Sequence, residues 1–232
     1  MMFNNRLSFF MGHFGSGKTE VSVNYAIRLK GKNDNICLLD FDIVNPYFRA
    51  ADAKKHLNSN GIDVIIPMYA NTNVDIPALG SDIGRVFADK KLYGVFDVGG
   101  DDLGANAVSR YKCEIEKDDY ALYVVVNTRR PLTDSPEKVV TMFHEITESA
   151  GLTPIGLVNN TNVLDHTTIQ DIAEGGRIIS EASEMLNCPI IFTSVMENIN
   201  GEDSNQHLCE LLHESGISGD ILVMQKLIHL PF

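Results

Sequence analysis

Long apolar runs are missing from this chain of 232 residues. Nothing approaches the roughly 18 consecutive apolar residues of a membrane span. No charged leader followed by an apolar core opens the sequence, so a cytoplasmic protein is expected. Positive charge is scarce: 19 Lys and Arg stand against 31 Asp and Glu, a formal net charge of −12. A surface that acidic repels a phosphate backbone, which argues against a nucleic-acid partner. Cysteine is sparse and scattered. Cys37, Cys113, Cys188 and Cys209 form no Cys-x-x-Cys pair and no Cys/His pair at zinc spacing. Three of the four fall in or beside apolar strand-like or helix-like runs, so buried free thiols are expected, and metal or iron–sulfur ligation within one chain is not. The histidines at 56, 144, 166, 207, 213 and 229 lack metal spacing and read as surface or core residues. Linkers, low-complexity segments and repeats are absent too. With 44% hydrophobic residues, the expectation is a single domain over residues 1–232.

What is present begins with Gly12-His13-Phe14-Gly15-Ser16-Gly17-Lys18-Thr19, which fits the phosphate-binding pattern G-x-x-x-x-G-K-[ST]. The context fits as well. Leu7–Met11 reads as a buried strand before it, and Val21, Ala26, Ile27 and Leu29 give an apolar helical face after it, stopped at Gly31. Glycines let backbone N–H groups turn inward as an anion nest, and the helix N-terminus adds its positive dipole end. Gly12, His13, Gly15, Ser16, Gly17, Lys18 and Thr19 are therefore expected to surround the phosphates of a nucleotide. Lys18 would reach the β- and γ-phosphates and the Thr19 hydroxyl would ligate Mg2+.

Strand and helix patterns alternate through the rest. Strands are predicted at 36–40, 62–66, 92–97, 120–126, 155–159 and, last, 189–192. Helices are predicted from Pro46 to about Asn58, over about 76–90, in part of 101–118, from Pro136 to about Ala150, up to about Leu186 and around His207–His213. Continuous apolar strands alternating with helices predict an α/β three-layer sandwich, a mostly parallel central sheet covered on both faces, in the P-loop NTPase fold.

In such a fold, carboxylates at neighbouring strand ends converge on the γ-phosphate and its Mg2+. The second strand ends Asp40-Phe41-Asp42-Ile43 and the fourth ends Asp97-Val98-Gly99-Gly100-Asp101-Asp102. Asp40, Asp42 and Asp97 are the candidate carboxylates near the metal. Gly99-Gly100 would let the backbone approach the γ-phosphate. Asp and Gly also favour plain turns, and that reading stands beside the functional one.

These motifs, with Gly156-Leu157-Val158-Asn159-Asn160, resemble the MinD/ParA/nitrogenase-iron-protein family of P-loop ATPases over residues about 6–195. The resemblance implies that Lys18 and Thr19 bind phosphate and Mg2+, that Asp42 positions the attacking water, and that Asp97 is the second switch aspartate. It implies an adenine contact at Asn160, with Asn159 the neighbouring candidate. Guanine-selective proteins of the Ras type use Asn-Lys-x-Asp, whereas the loop here is Asn159-Asn160-Thr161-Asn162. An asparagine amide serves adenine's donor and acceptor together, so ATP is expected over GTP.

One position departs from the family pattern. Where those ATPases carry a lysine that reaches across a dimer, this chain has His13. A neutral imidazole is not a full substitute for a permanent cation. Arg49, Arg129 or Arg130 is the alternative source, although Arg129-Arg130-Pro131 also reads as a solvated basic turn. Tyr47 and Phe48 read as core or as partner contacts beside the first switch. The tail from Ile221 holds Leu222, Val223, Leu227, Ile228 and Leu230 with a single lysine, Lys226. Without a basic face it is expected to pack on the domain rather than anchor to a membrane. The function expected is a slow Mg2+-dependent ATPase read by a protein partner, with a homodimer as one form. Its rivals are an ATP-dependent kinase or ligase similar to dethiobiotin synthetase, and a regulator that binds ATP without hydrolysing it.

Overall fold

A computed structural model describes residues 5–41, 50–65, 81–100, 102–201 and 204–228. Strands β1 (Leu7–Met11), β2 (Ile36–Phe41), β3 (Ile62–Ile65), β4 (Tyr93–Val98), β5 (Tyr120–Val126), β6 (Gly156–Asn159), β7 (Ile190–Met196) and β8 (Asp220–Met224) form one sheet of order β3-β2-β4-β1-β5-β6-β7-β8. Every neighbouring pair is parallel. Helices α1 (Lys18–Lys30), α2 (Ala50–Ser59), α3 (Ser81–Ala88), α4 (Asp102–Ser109), α5 (Lys112–Ile115), α6 (Pro136–Ala150), α7 (Ile169–Leu186) and α8 (Asn205–Glu214) connect them.

Both faces of the sheet are apolar because both are covered. Along β1, Leu7, Phe9 and Met11 enter one core with residues of α3, α4 and α6, while Phe10 enters the other with residues of α1. This period-two split is what a strand buried on both sides requires. Under α1 the rings of Phe10, Tyr25 and Tyr123 pack with centroids 5.0 to 5.8 Å apart. The two tyrosine hydroxyls meet at 3.3 Å, and Ser8 Oγ donates to Tyr25 at 3.2 Å, so neither phenol is buried without a partner. That cluster fixes α1, and with it the end of the glycine-rich loop.

Helix boundaries follow local chemistry. Ser135 caps α6 ahead of Pro136 at its first turn, and Gly151 ends it in the left-handed conformation at φ 62°. Thr168 and Asp171 form a capping box that starts α7.

The sheet differs from the expected pattern at one edge. The strand at 190–196 is longer than predicted and is not the last, since Asp220–Met224 adds β8 beside it. The tail is also held through its backbone: Leu227 and Ile228 donate to Glu20 at 2.8 and 3.2 Å, and Gln225 exchanges hydrogen bonds with Asn24. The apolar tail thus closes the sheet edge and latches onto the first turns of α1. The thiols are likewise mixed: Cys37 and Cys188 are buried, Cys209 is intermediate, and Cys113 is exposed rather than buried. Among the described residues no helix is long and apolar enough to cross a membrane.

Opposite the loop end, the sheet is clamped by Arg6. Its guanidinium binds Asp118 through two nitrogens and also donates to the Val86 and Leu92 carbonyls at 2.8 and 2.6 Å. The Arg6 hydrogen bond, then Lys90 at 2.6 Å, hold the Asp118 carboxyl well below the usual carboxylate range against the opposing cost of burial. Removing one partner of so buried a pair strands the other. Asp118→Ala is expected to lose about 3 kcal/mol in a denaturant titration at neutral pH. The native pKa is depressed, so the unfolded chain takes up the proton first. The contribution is complete above the ordinary Asp value of about 4 and is lost as pH falls below it. The stability gap between the native sequence and Asp118→Asn should therefore close on acidification.

Candidate functional site

The chain leaves β1, builds β2 and β3 on one side, returns through β4, and then builds β5 to β8 on the other side. Beside β1 the strand order reverses, and loops at the carboxyl ends of the strands gather there, the usual position for a ligand in an open α/β sheet. The glycine-rich loop occupies this point. Gly15 and Gly17 adopt φ of 81° and 83°, conformations that other residues reach only with strain. Gly17 has a second constraint, because a Cβ there would lie 2.3 Å from Asn160 Nδ2.

Lys18, at the start of α1, is buried and donates from Nζ to the His13 carbonyl at 3.2 Å, spanning the loop. Thr19 is buried beside it, and so is Ser16, whose Oγ has no hydrogen-bond partner among the described residues. A buried hydroxyl left in that state within an anion nest fits a ligand oxygen.

The structure brings Asp40 and Asp97 together. They are opposite each other in the register of β2 and β4 and are 1% and 2% exposed. By alternation both lie on the sheet face shared by Leu38 and Val95, the face covered by α1. The expectation for Asp42 falls outside the described residues, as do those for Tyr47, Phe48 and Arg49. After β4, Gly100 packs on the loop so tightly that a Cβ would lie 2.8 Å from the Gly12 carbonyl and 2.9 Å from Lys18 Nζ. Among the described residues no three His, Cys, Asp or Glu side chains gather to hold a metal ion.

Asn160 lies beneath the loop. Its Nδ2 donates to the Ser16 carbonyl at 2.7 Å, and its Oδ1 accepts from Ser194 Oγ at 2.8 Å. Asn159 is buried too, donating to the Ile172 carbonyl at 3.4 Å and accepting from the Thr161 N–H at 3.1 Å. Each amide thus uses one of its two N–H donors and one of its two oxygen lone pairs on the protein. Asn127, at the end of β5, was not singled out by the sequence, yet its Oδ1 accepts from the N–H groups of Arg129 and Asn162 at 3.0 and 3.2 Å. It ties the loops after β5 and β6 together. Ser194, inside β7, and Asn127, just after β5, carry no motif that marks them.

The two arginines separate. Arg129 binds Asp171 and Glu174 of α7, each at 2.6 Å. Arg130 lies on the glycine-rich loop, with Nε donating to the Gly15 carbonyl at 3.1 Å. Of the two arginines, Arg130 is the one placed at the loop. His13 turns toward α6, where Nε2 sits 2.9 Å from Glu145 Oε2. Around this pair lies a cavity of about 310 Å3, bordered by Gly12, His13, Gly100, Glu145, Ile146 and Ser149 among others. Phe14, at the tip of the loop, is exposed.

No family model matches the chain, and no curated protein matches it in sequence. Solved structures do. Cell division protein FtsY from Thermotoga maritima superposes with a TM-score of 0.56 at 19% identity, covering 82% of this chain and 61% of that one. FtsY from Mycoplasma mycoides gives 0.53 at 18% identity, covering 91% and 68%. The chain has the P-loop NTPase fold. It spans 61% of the length of the Thermotoga structure, and at these identities the likeness extends to the fold alone.

The loop geometry generates a prediction. Gly17→Ala adds both a disfavoured φ and a collision with Asn160, each of about 1–2 kcal/mol or more. In a fluorescent-nucleotide titration it is expected to bind at least tenfold more weakly, with unchanged circular dichroism. Asn160→Ala, which removes one neutral strut of about 1 kcal/mol, is expected to lose about fivefold.

Proposed function

We propose that residues 1–232 form one nucleotide-binding domain that takes ATP with Mg2+, hydrolyses it slowly, and is read by a protein partner in the manner of MinD/ParA-type ATPases. The observation that carries the reading is the packing of Gly100 against both the loop and Lys18 Nζ. In this reading Gly99-Gly100 is the part of the chain that meets the third phosphate of a bound nucleotide. A loop that senses that phosphate distinguishes triphosphate from diphosphate, which a switch requires.

The donor set fits the cation. Two adjacent buried carboxylates repel each other and are costly to bury, and a divalent ion beside the Thr19 hydroxyl offsets both costs. Thr19 and Asp97, with Asp40 and Asp42, would hold it, and its charge would neutralise the phosphate oxygens. Lys18 and the inward N–H groups of the loop hold the phosphates, and Arg130 is the candidate cation supplied within the chain. In this reading Asn160, which also holds the Ser16 carbonyl, is the adenine contact, with Asn159 the neighbouring candidate. ATP over GTP remains our reading because 159–162 lack the lysine and carboxylate of the guanine-selective pattern. His13 is engaged by Glu145 of its own chain, so a dimer, if formed with ATP, would draw its cation from an arginine.

Lys18→Ala is expected to weaken ATP binding at least tenfold by calorimetry, and unchanged affinity would refute the assignment. Asp97→Asn should retain nucleotide yet release phosphate at least a hundredfold more slowly, the scale of losing a metal-holding carboxylate. Competition of ATP and GTP for one fluorescent nucleotide tests the base. Molar mass with ATP, with ADP and without nucleotide tests the dimer.

A further inference from the structure

We infer that the cavity between the glycine-rich loop, the segment after β4 and α6 is a second ligand site, for a small compound bearing a primary ammonium group. At about 310 Å3 it lies within the range of small-molecule sites, about 300–1,000 Å3. Its surface has the composition of such a site: Met11, Ala105 and Ile146 give apolar walls, and Glu145, His13 and Ser149 give a few polar groups.

The polar groups select the ligand. Glu145 carries the one charged carboxylate among the described lining residues. The Ser149 hydroxyl spends its proton on the Glu145 carbonyl at 2.6 Å, so toward a ligand it is an acceptor. His13 Nε2 sits 2.9 Å from Glu145 Oε2 at the same wall. Two acceptors, one of them anionic, border the cavity, with no lysine or arginine among its described walls. A ligand rich in N–H donors and carrying positive charge complements them. A carboxylate or phosphate would meet Glu145 with like charge.

The position gives the site its meaning. Gly100 borders the cavity and also packs on Lys18 Nζ, so a single residue separates the occupant from the ammonium assigned to the γ-phosphate. That placement beside the third phosphate rests on the reading of Lys18 above. The occupancy itself does not.

The test is ligand-observed NMR on the intact chain without nucleotide, using a fragment library divided into primary amines, alcohols, carboxylic acids and hydrocarbons. Saturable binding is expected to concentrate in the amines. It is expected to fall at least tenfold in Glu145→Gln and in Ile146→Trp, which fills the cavity, with melting curves recorded for both. Absence of saturable binding, hits spread evenly over the four classes, or indifference to both variants would overturn the proposal. The class preference of the unaltered chain decides even if a variant misfolds. ATP titrated into the same samples keeps the two readings apart: amine binding without ATP binding refutes only the nucleotide assignment.

Discussion

In the six residues between β1 and α1, the backbone must turn tightly and still enter a helix at Lys18. Left-handed conformations at Gly15 and Gly17 make that path possible, but permissive residues do not hold a shape by themselves. The holding is done from below and beside. Asn160 takes the Ser16 carbonyl, Arg130 takes the Gly15 carbonyl, and Lys18 takes the His13 carbonyl. Three side chains on three elements thus restrain the carbonyls of the loop, and the Ser16 N–H closes a turn on the His13 carbonyl at 3.1 Å. The shape of the site depends on these bonds, because a glycine-rich backbone keeps one path only while its carbonyls have fixed partners.

The sheet supplies the positions from which those side chains act. Its two cores fix α1 on one face and α6 on the other, and the strand order brings β4 and β5 to either side of β1. Asp97 therefore reaches the loop from one neighbouring strand, and the Arg130 loop reaches it from the other. β8 and the tail brace the same helix, since residues 225–228 bond to Asn24 and Glu20 near its start. A segment far along the chain thereby contributes to the rigidity of the phosphate loop.

Much of this was legible beforehand. The strand over 120–126, the helix over 136–150 and the loop at 12–19 occur where apolar periodicity, Pro136 and the glycine spacing of the loop place them. Such signals are local: a capped helix or a fully apolar strand states its own boundaries. β8 escaped because Asp220–Met224 alternates only partly and its pairing depends on β7, whose extent the sequence understated. Cys113 escaped for a similar reason, since its neighbours Tyr111 and Ile115 pack inward while it faces solvent on a helix of four residues.

By itself, the sequence determined the fold class, the phosphate loop and the pair of strand-end carboxylates. Each is encoded within a few consecutive residues by backbone sterics or by hydrophobic period. The tertiary structure decided which polar side chains support and which face the ligand space. Asn160 turned beneath the loop, Arg129 was taken by α7 while Arg130 went to Gly15, and His13 turned to Glu145. Each choice is a hydrogen bond across more than 30 residues of chain, and its energy exists only once the sheet has brought the two ends together.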